Sequence, residues 1–257
     1  MMTQCMPLET SEDAVLGGRL VLCQPRRGHR VGHDAILLAA ATAAHAGEHA
    51  VDLGAGVGAA GLALARRVAG LTVTLVEIDP ALAQLGRDNA ERNGLADRAR
   101  AVCLDVTASA GAFAAAGLES ESADRVLMNP PFNVSENSSP EPGRRLAHAA
   151  SQGTLRQWVR TASRLLRAGG VLTLIWRAEG LDDVLMELAS AFGAIAVLPI
   201  HPKPGAPAIR VLARAAKGSR APLVLLPGFV LADADGNPSA AAERVLRGGG
   251  LLPLAEI

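Results

Sequence analysis

Aromatic side chains are nearly missing from this sequence: its 257 residues include no Tyr, two Trp and four Phe. A core of stacked aromatic rings is excluded, and aliphatic side chains must supply most of the 49% hydrophobic content. Three cysteines, Cys5, Cys23 and Cys103, stand far apart and outside any C-x-x-C spacing, which argues against a disulfide framework and a zinc site. No metal is expected. Long apolar runs are missing too: AILLAAATAA at 35–44 falls far short of the roughly 20 residues that span a bilayer. No membrane helix is expected. The opening MMTQCMPLET lacks the basic and apolar regions of a secretory signal, so a cytoplasmic location is expected.

Net charge is absent as well, at zero, yet the charges are unevenly spread. Residues 34–140 hold 13 acids against 7 arginines, so the flanks are basic. Residues 15–33 carry Arg19, Arg26, Arg27 and Arg30 without an acid, and 188–232 carry Lys203, Arg210, Arg214, Lys217 and Arg220 without one. A third basic run at 144–167 includes Arg144 and Arg145. If the three segments converge on one face, they make a surface that attracts phosphates; taken singly, each equally suits a solvated helix face.

What is present is a regular alternation of short β-branched runs with Ala/Leu-rich ones, the pattern of a mainly parallel sheet covered by helices on both faces. Strands are expected at HAVDL (49–53), LTVTLVEI (71–78), ARAVCL (99–104), DRVLMN (124–129) and VLTLIW (171–176). A helix is expected over 154–167, where Leu155, Trp158, Val159, Ala162, Leu165 and Leu166 recur at helical spacing and make Trp158 a core residue. After a helix near 181–192, AIAVLPI (194–200) and AIRVLARA (208–215) are joined by the short HPKPGAP, which predicts a hairpin and an antiparallel last strand. The chain reads as a single domain over 1–257: an N-terminal segment 1–48 covering substrate and cofactor, a catalytic core 49–216, and a C-terminal extension 217–257 with a short helix around 239–246.

The stretch VDLGAGVGAAGLALA sets Asp52 at a strand end, then Gly54, Gly56 and Gly58, then a helix start; Glu77 closes the next strand. Glycines let the backbone approach a nucleotide-type cofactor, and an acid at the second strand's end accepts hydrogen bonds from ribose hydroxyls. Residues 56–61 satisfy G-x-G-x-x-G, so a dinucleotide and a dehydrogenase must be weighed. Asp52 tilts the choice, because a carboxylate there opposes a pyrophosphate but suits a ligand with an ammonium group and no phosphate, as in S-adenosylmethionine. Asp105 after the third strand is then placed for the adenine amine, with Ile78 against the ring; Asp105 also suits a helix N-cap.

The fourth strand runs into Asn129, Pro130, Pro131 and Phe132, at the sheet edge where open α/β folds bind ligands. An exocyclic amine on a planar ring is a poor nucleophile because its lone pair is delocalised. The Asn129 side-chain oxygen and the Pro130 carbonyl are placed to accept both N–H hydrogens, Pro131 stiffens the loop, and Phe132 offers a stacking face.

DLGAGVG, the acid in LVEIDP, and NPPF resemble the class I S-adenosylmethionine-dependent methyltransferases that modify planar amino groups. The resemblance implies a Rossmann-like seven-stranded sheet whose last strand is antiparallel. GGRLVLCQPRRGHRVGHDAILLAA (17–40) resembles the segment before the first strand in the bacterial tRNA1(Val) adenine-N6-methyltransferase family, with Gly32 to Ala39 matching its G-x-D-a-x-L-L-a core. That implies adenine N6 of tRNA as the acceptor and Asp34 in the cofactor pocket, although His33 stands where a small hydroxyl residue is expected. The similarity covers roughly residues 15–215. The 18 residues 133–150, after the catalytic motif, suggest a target-recognition lid. Guanine-N2 methylation of ribosomal RNA and N-methylation of a protein glutamine use very similar loops, and a cofactor-binding protein without catalysis is the alternative from another class.

Overall fold

In a computed structural model, the β-branched and Ala/Leu-rich runs become eleven strands and seven α-helices among the described residues, 9–27, 30–131 and 142–257, the backbone alone over 142–152. An antiparallel hairpin comes first, β1 (Thr10–Val15) and β2 (Leu20–Pro25). It is followed by α1 (His33–Ala41), whose last six residues, an Ile/Leu/Ala run, are buried. β3 (His49–Leu53), α2 (Ala59–Arg67), β4 (Thr72–Glu77), α3 (Pro80–Arg92) and β5 (Ala99–Cys103) then alternate. Asp79 caps α3 by accepting from Ala81 and Leu82 N–H, with Pro80 at the first helical position.

The second half continues with α4 (Ala110–Ala115), β6 (Ala123–Met128), α5 (Pro142–Leu165), β7 (Leu166–Arg177), α6 (Leu181–Leu188), β8 (Phe192–His201) and β9 (Arg210–Lys217). Helix α5 begins at Pro142, so residues 142–150 of the expected lid are helical. RRLAHAA is rich in helix formers, and a proline is tolerated at the first helical position. β10 (Val224–Leu225), β11 (Phe229–Val230) and α7 (Ala240–Leu246) close the chain.

The sheet order is β10-β8-β9-β7-β6-β3-β4-β5, with β11 also on β8. Seven of these strands form the expected mainly parallel sheet. β9, antiparallel to both β7 and β8, is the reversed one, as the short hairpin linker predicted. β10 and β11 add to the outer edge of β8 in parallel and shield a backbone edge that would otherwise be open.

Strand residues alternate between two cores. On one face Ala50, Val73, Leu75, Leu127 and Leu212 pack under α1 and α2, with Val245 of α7 and Leu252 and Leu254 of the tail. On the other, Val51, Leu53, Val126, Leu172 and Trp176 pack with Leu155, Trp158 and Leu165 of α5. Among the described residues no helix is long and apolar enough to cross a membrane.

Candidate active site

Leu53 of β3 pairs with Met128 of β6, so Gly54 and Asn129 leave the sheet side by side. Here the strand order reverses: β4 lies on one side of β3 and β6 on the other, opening the crevice in which doubly wound sheets hold ligands.

The glycine loop is fixed from below and open above. Gly54 and Ala55 N–H both donate to the Val76 carbonyl, at 2.8 and 2.9 Å. Gly54 has φ +68°, and a Cβ on it would stand 2.2 Å from Cη2 of Trp158, so this position accepts only glycine while the indole supports the loop. Gly56, with φ +56°, has no atom of the described residues within 4 Å of where its Cβ would be. A side chain there would fill open space over the crevice, as expected where a ligand lies against the backbone. Gly58, φ +89°, precedes the first residue of α2.

Two buried acids organise this loop. Glu77 accepts from Gly56 N–H at 2.8 Å and, with its other oxygen, from Asp79 N–H at 2.9 Å. Asp52, 2% exposed, accepts from Gly61 N–H at 2.8 Å in the first turn of α2. Burial pushes its carboxyl up to about 7 against the lowering effect of the Gly61 bond, and the nearby Glu77 carboxylate adds to the rise. Ile78, next to Glu77, is 61% exposed in a chain that otherwise buries most large aliphatic side chains. Asp105 is exposed, and its Oδ1 accepts from Thr107 N–H and Oγ1–H at 2.7 and 2.8 Å, a local turn rather than an α-helix cap.

Asn129 follows the end of β6. Its Oδ1 is buried and accepts no hydrogen bond from the described residues, a state that costs about 1–3 kcal/mol unless a ligand donates to it. Pro130 is buried and Pro131 exposed. Phe132 lies outside the described residues. The open space over Gly56 and the exposed Ile78 fit an adenosyl cofactor lying against the loop, and the Asn129 oxygen, unpaired among the described residues, leaves an acceptor free beside it.

The basic residues do not all reach this edge. Arg26 and Arg27 are exposed just past β2, and Lys203 is exposed in the β8–β9 turn at the carboxyl ends of the strands. Arg30 pairs with Asp13 at 2.8 Å. Arg210 pairs with Asp34 at 2.9 Å, tying the start of α1 to the start of β9 at the same edge. Lys217 departs from the expected common face. It ends β9, seven residues or about 23 Å from Arg210 at roughly 3.3 Å per residue, and pairs with Glu121 at 2.9 Å on the amino side of the sheet. The side chains of Arg144 and Arg145 fall outside the described residues. No group of three or more His, Cys, Asp or Glu among the described residues is arranged to hold a metal.

One site-supporting residue, Asn89, was missed in the sequence. Asn89 is fully buried in α3, where a helix otherwise puts an aliphatic side chain, and the part-buried Asn93 follows four residues on as the helix C-cap. That polar interruption was the available signal.

Residues 29–201 match the methyltransferase small domain family. The chain belongs to that family. The expected Rossmann-like methyltransferase fold and S-adenosylmethionine as the family's methyl donor are thereby borne out. The chain is 31% identical over 169 residues, 63% of its length, to the tRNA1(Val) (adenine(37)-N6)-methyltransferase of Porphyromonas gingivalis and spans 64% of that protein. It is 30% identical over 163 residues to the release factor glutamine methyltransferase of Chlorobaculum tepidum, covering 60% of this chain and 53% of that one. Among solved structures, an Agrobacterium tumefaciens protein described as a "predicted O-methyltransferase" superposes on this methyltransferase-family chain with a TM-score of 0.72 at 32% identity, over 85% of this chain and 98% of that one.

Proposed function

We propose that this protein is an S-adenosylmethionine-dependent N-methyltransferase acting on an exocyclic amine of a nucleobase in RNA, adenine N6 of a tRNA. The observation that carries the reading is the buried Oδ1 of Asn129, unpaired among the described residues and one strand away from the glycine loop. When bound, the cofactor supplies an electrophilic methyl group on a sulfonium centre. Asp52, Gly54, Gly56, Gly58, Glu77, Ile78 and Asp105 are the residues that hold it, with Asp34, paired to Arg210, joining them from the start of α1.

Asn129 Oδ1 and the Pro130 carbonyl accept the two N–H hydrogens of the amine. This draws its lone pair out of conjugation and aims it across the crevice. Phe132 stacks on the base and holds it once it has left its own stack. No strong general base is required, because the methylated amine is acidic enough to lose its proton to solvent or to a carbonyl oxygen.

RNA is favoured over a protein glutamine by Arg26, Arg27 and Lys203, which are exposed around the same edge. The named activity of the Porphyromonas gingivalis relative supports tRNA adenine. Guanine-N2 methylation of ribosomal RNA and glutamine N5 methylation are the competing readings, the latter supported by the Chlorobaculum tepidum relative.

Incubation with labelled cofactor and total RNA from cells lacking the gene should yield labelled N6-methyladenosine by nucleoside mass spectrometry. Labelled N2-methylguanosine, or label confined to protein, would overturn the adenine reading. Asn129→Ala should lower kcat by about 100-fold or more while leaving cofactor affinity within a few-fold, since that side chain meets the acceptor. Retained turnover would remove Asn129 from the mechanism.

A further inference from the structure

Asn89 is fully buried in α3 and uses its amide on two separate parts of the chain. Its Oδ1 accepts from Cys23 N–H of β2 at 2.7 Å, and its Nδ2 donates to the Cys23 carbonyl at 3.0 Å. The second Nδ2 hydrogen goes to the carbonyl of Val57 at 3.0 Å, inside the glycine loop. Asn93 repeats the first pattern one turn later. It accepts from Val21 N–H at 2.9 Å and donates to the Val21 carbonyl at 2.8 Å, but its remaining hydrogen returns to its own helix at Asn89 O.

The match is geometric. Four residues of helix rise about 6 Å and two residues of strand about 6.6 Å, so the amides of Asn89 and of the C-cap residue Asn93 meet alternate residues of β2. Each exchanges a donor and an acceptor as an antiparallel neighbour would. The helix thus serves as the missing strand beside β2, and only Asn89 also reaches the loop.

Val57 lies between Gly56, whose N–H is held by Glu77, and Gly58, which opens α2. Helix α3 also lies against the loop at Gly86, where a Cβ would stand at ordinary contact distance, 3.8 Å, from the Gly56 carbonyl. The loop is therefore gripped at neighbouring residues, at one N–H by Glu77 and at one carbonyl by Asn89. We propose that Asn89 is a positioning residue for the cofactor, setting the Val57–Gly58 peptide through one amide that also anchors the N-terminal hairpin. This rests on the reading that the glycine loop holds S-adenosylmethionine.

Titration calorimetry with S-adenosylhomocysteine on the wild type, Asn89→Ala and Asn93→Ala tests it. Both substitutions remove hairpin bonds and should lower the melting temperature. Below both melting temperatures, Asn89→Ala should bind at least 10-fold more weakly and Asn93→Ala within 2-fold of the wild type. Equal loss in both variants, or an Asn89→Ala affinity within 2-fold, would overturn the proposal. If Asn89→Ala does not fold, amide exchange in the wild type decides. Ligand should slow exchange at Cys23 more than at Val21, and equal slowing would count against the link. A wild type that does not bind S-adenosylhomocysteine would instead remove the cofactor site itself, a result distinct from both.

Discussion

Asp52 carries the sharpest single-residue consequence. The sequence located it at a strand end beside the glycines and matched it to a ligand's ammonium group. It did not reveal the burial or the bond to Gly61 N–H, because both depend on α2 folding back over the strand. Its folded-state value of about 7 lies above the ordinary 3.8. Its contribution to stability is therefore fully present below about pH 4 and lost as pH rises through about 7. A ligand ammonium beside this carboxyl favours the ionised form, so binding below pH 7 should expel a proton. Affinity for S-adenosylhomocysteine should rise from pH 5.5 to 7 and then level off. Calorimetry at pH 6 in two buffers of different ionisation enthalpy should report proton release that Asp52→Asn abolishes. A flat affinity profile in the wild type would detach Asp52 from the ligand.

At the scale of elements, Gly54 and Gly56 look alike in sequence and differ in what surrounds them. Alanine at Gly54 must displace the Trp158 indole and adopt a left-handed backbone, at a cost of about 2–5 kcal/mol. Alanine at Gly56 meets no atom of the described residues within 4 Å and bears only the backbone cost of about 1–2 kcal/mol. Thermal melts should thus separate a strongly destabilised Gly54→Ala from a more mildly destabilised Gly56→Ala, while titration should find cofactor binding impaired in the latter. Equal melting temperatures would contradict the packing of Trp158 under the loop. The parallel strands were legible because each is a short run with buried apolar residues, set between helix-forming segments. The β1–β2 hairpin was not, since TSEDAV is polar and the outer partner of β2 is a pair of asparagine amides rather than another strand. β10 and β11 are two residues each, too short for any periodicity.

For the whole molecule, charge was legible only as three basic segments, because sequence spacing does not say at which end of a strand a residue emerges. Chain direction resolves part of this. β2 passes Asn93 and then Asn89, running from the amino toward the carboxyl edge, so Arg26 and Arg27 emerge on the same edge as Lys203. Lys217 lies at the far end of an antiparallel strand and already has Glu121 as a partner. If RNA lies across the carboxyl edge, each phosphate contact adds about 0.7–0.9 to the slope of log affinity against log salt. Changing Arg26, Arg27 and Lys203 together to Gln should flatten that slope by about 2–3, with affinity for S-adenosylhomocysteine unchanged. Lys217→Gln should leave the slope as it is and cost stability at most about 1 kcal/mol, as expected for a partly exposed ion pair. Filter-binding or fluorescence titrations between 50 and 300 mM salt would read both. A triple variant with the wild-type slope would move the RNA to another face, whereas a flattened slope in Lys217→Gln would extend the interface around to the amino edge.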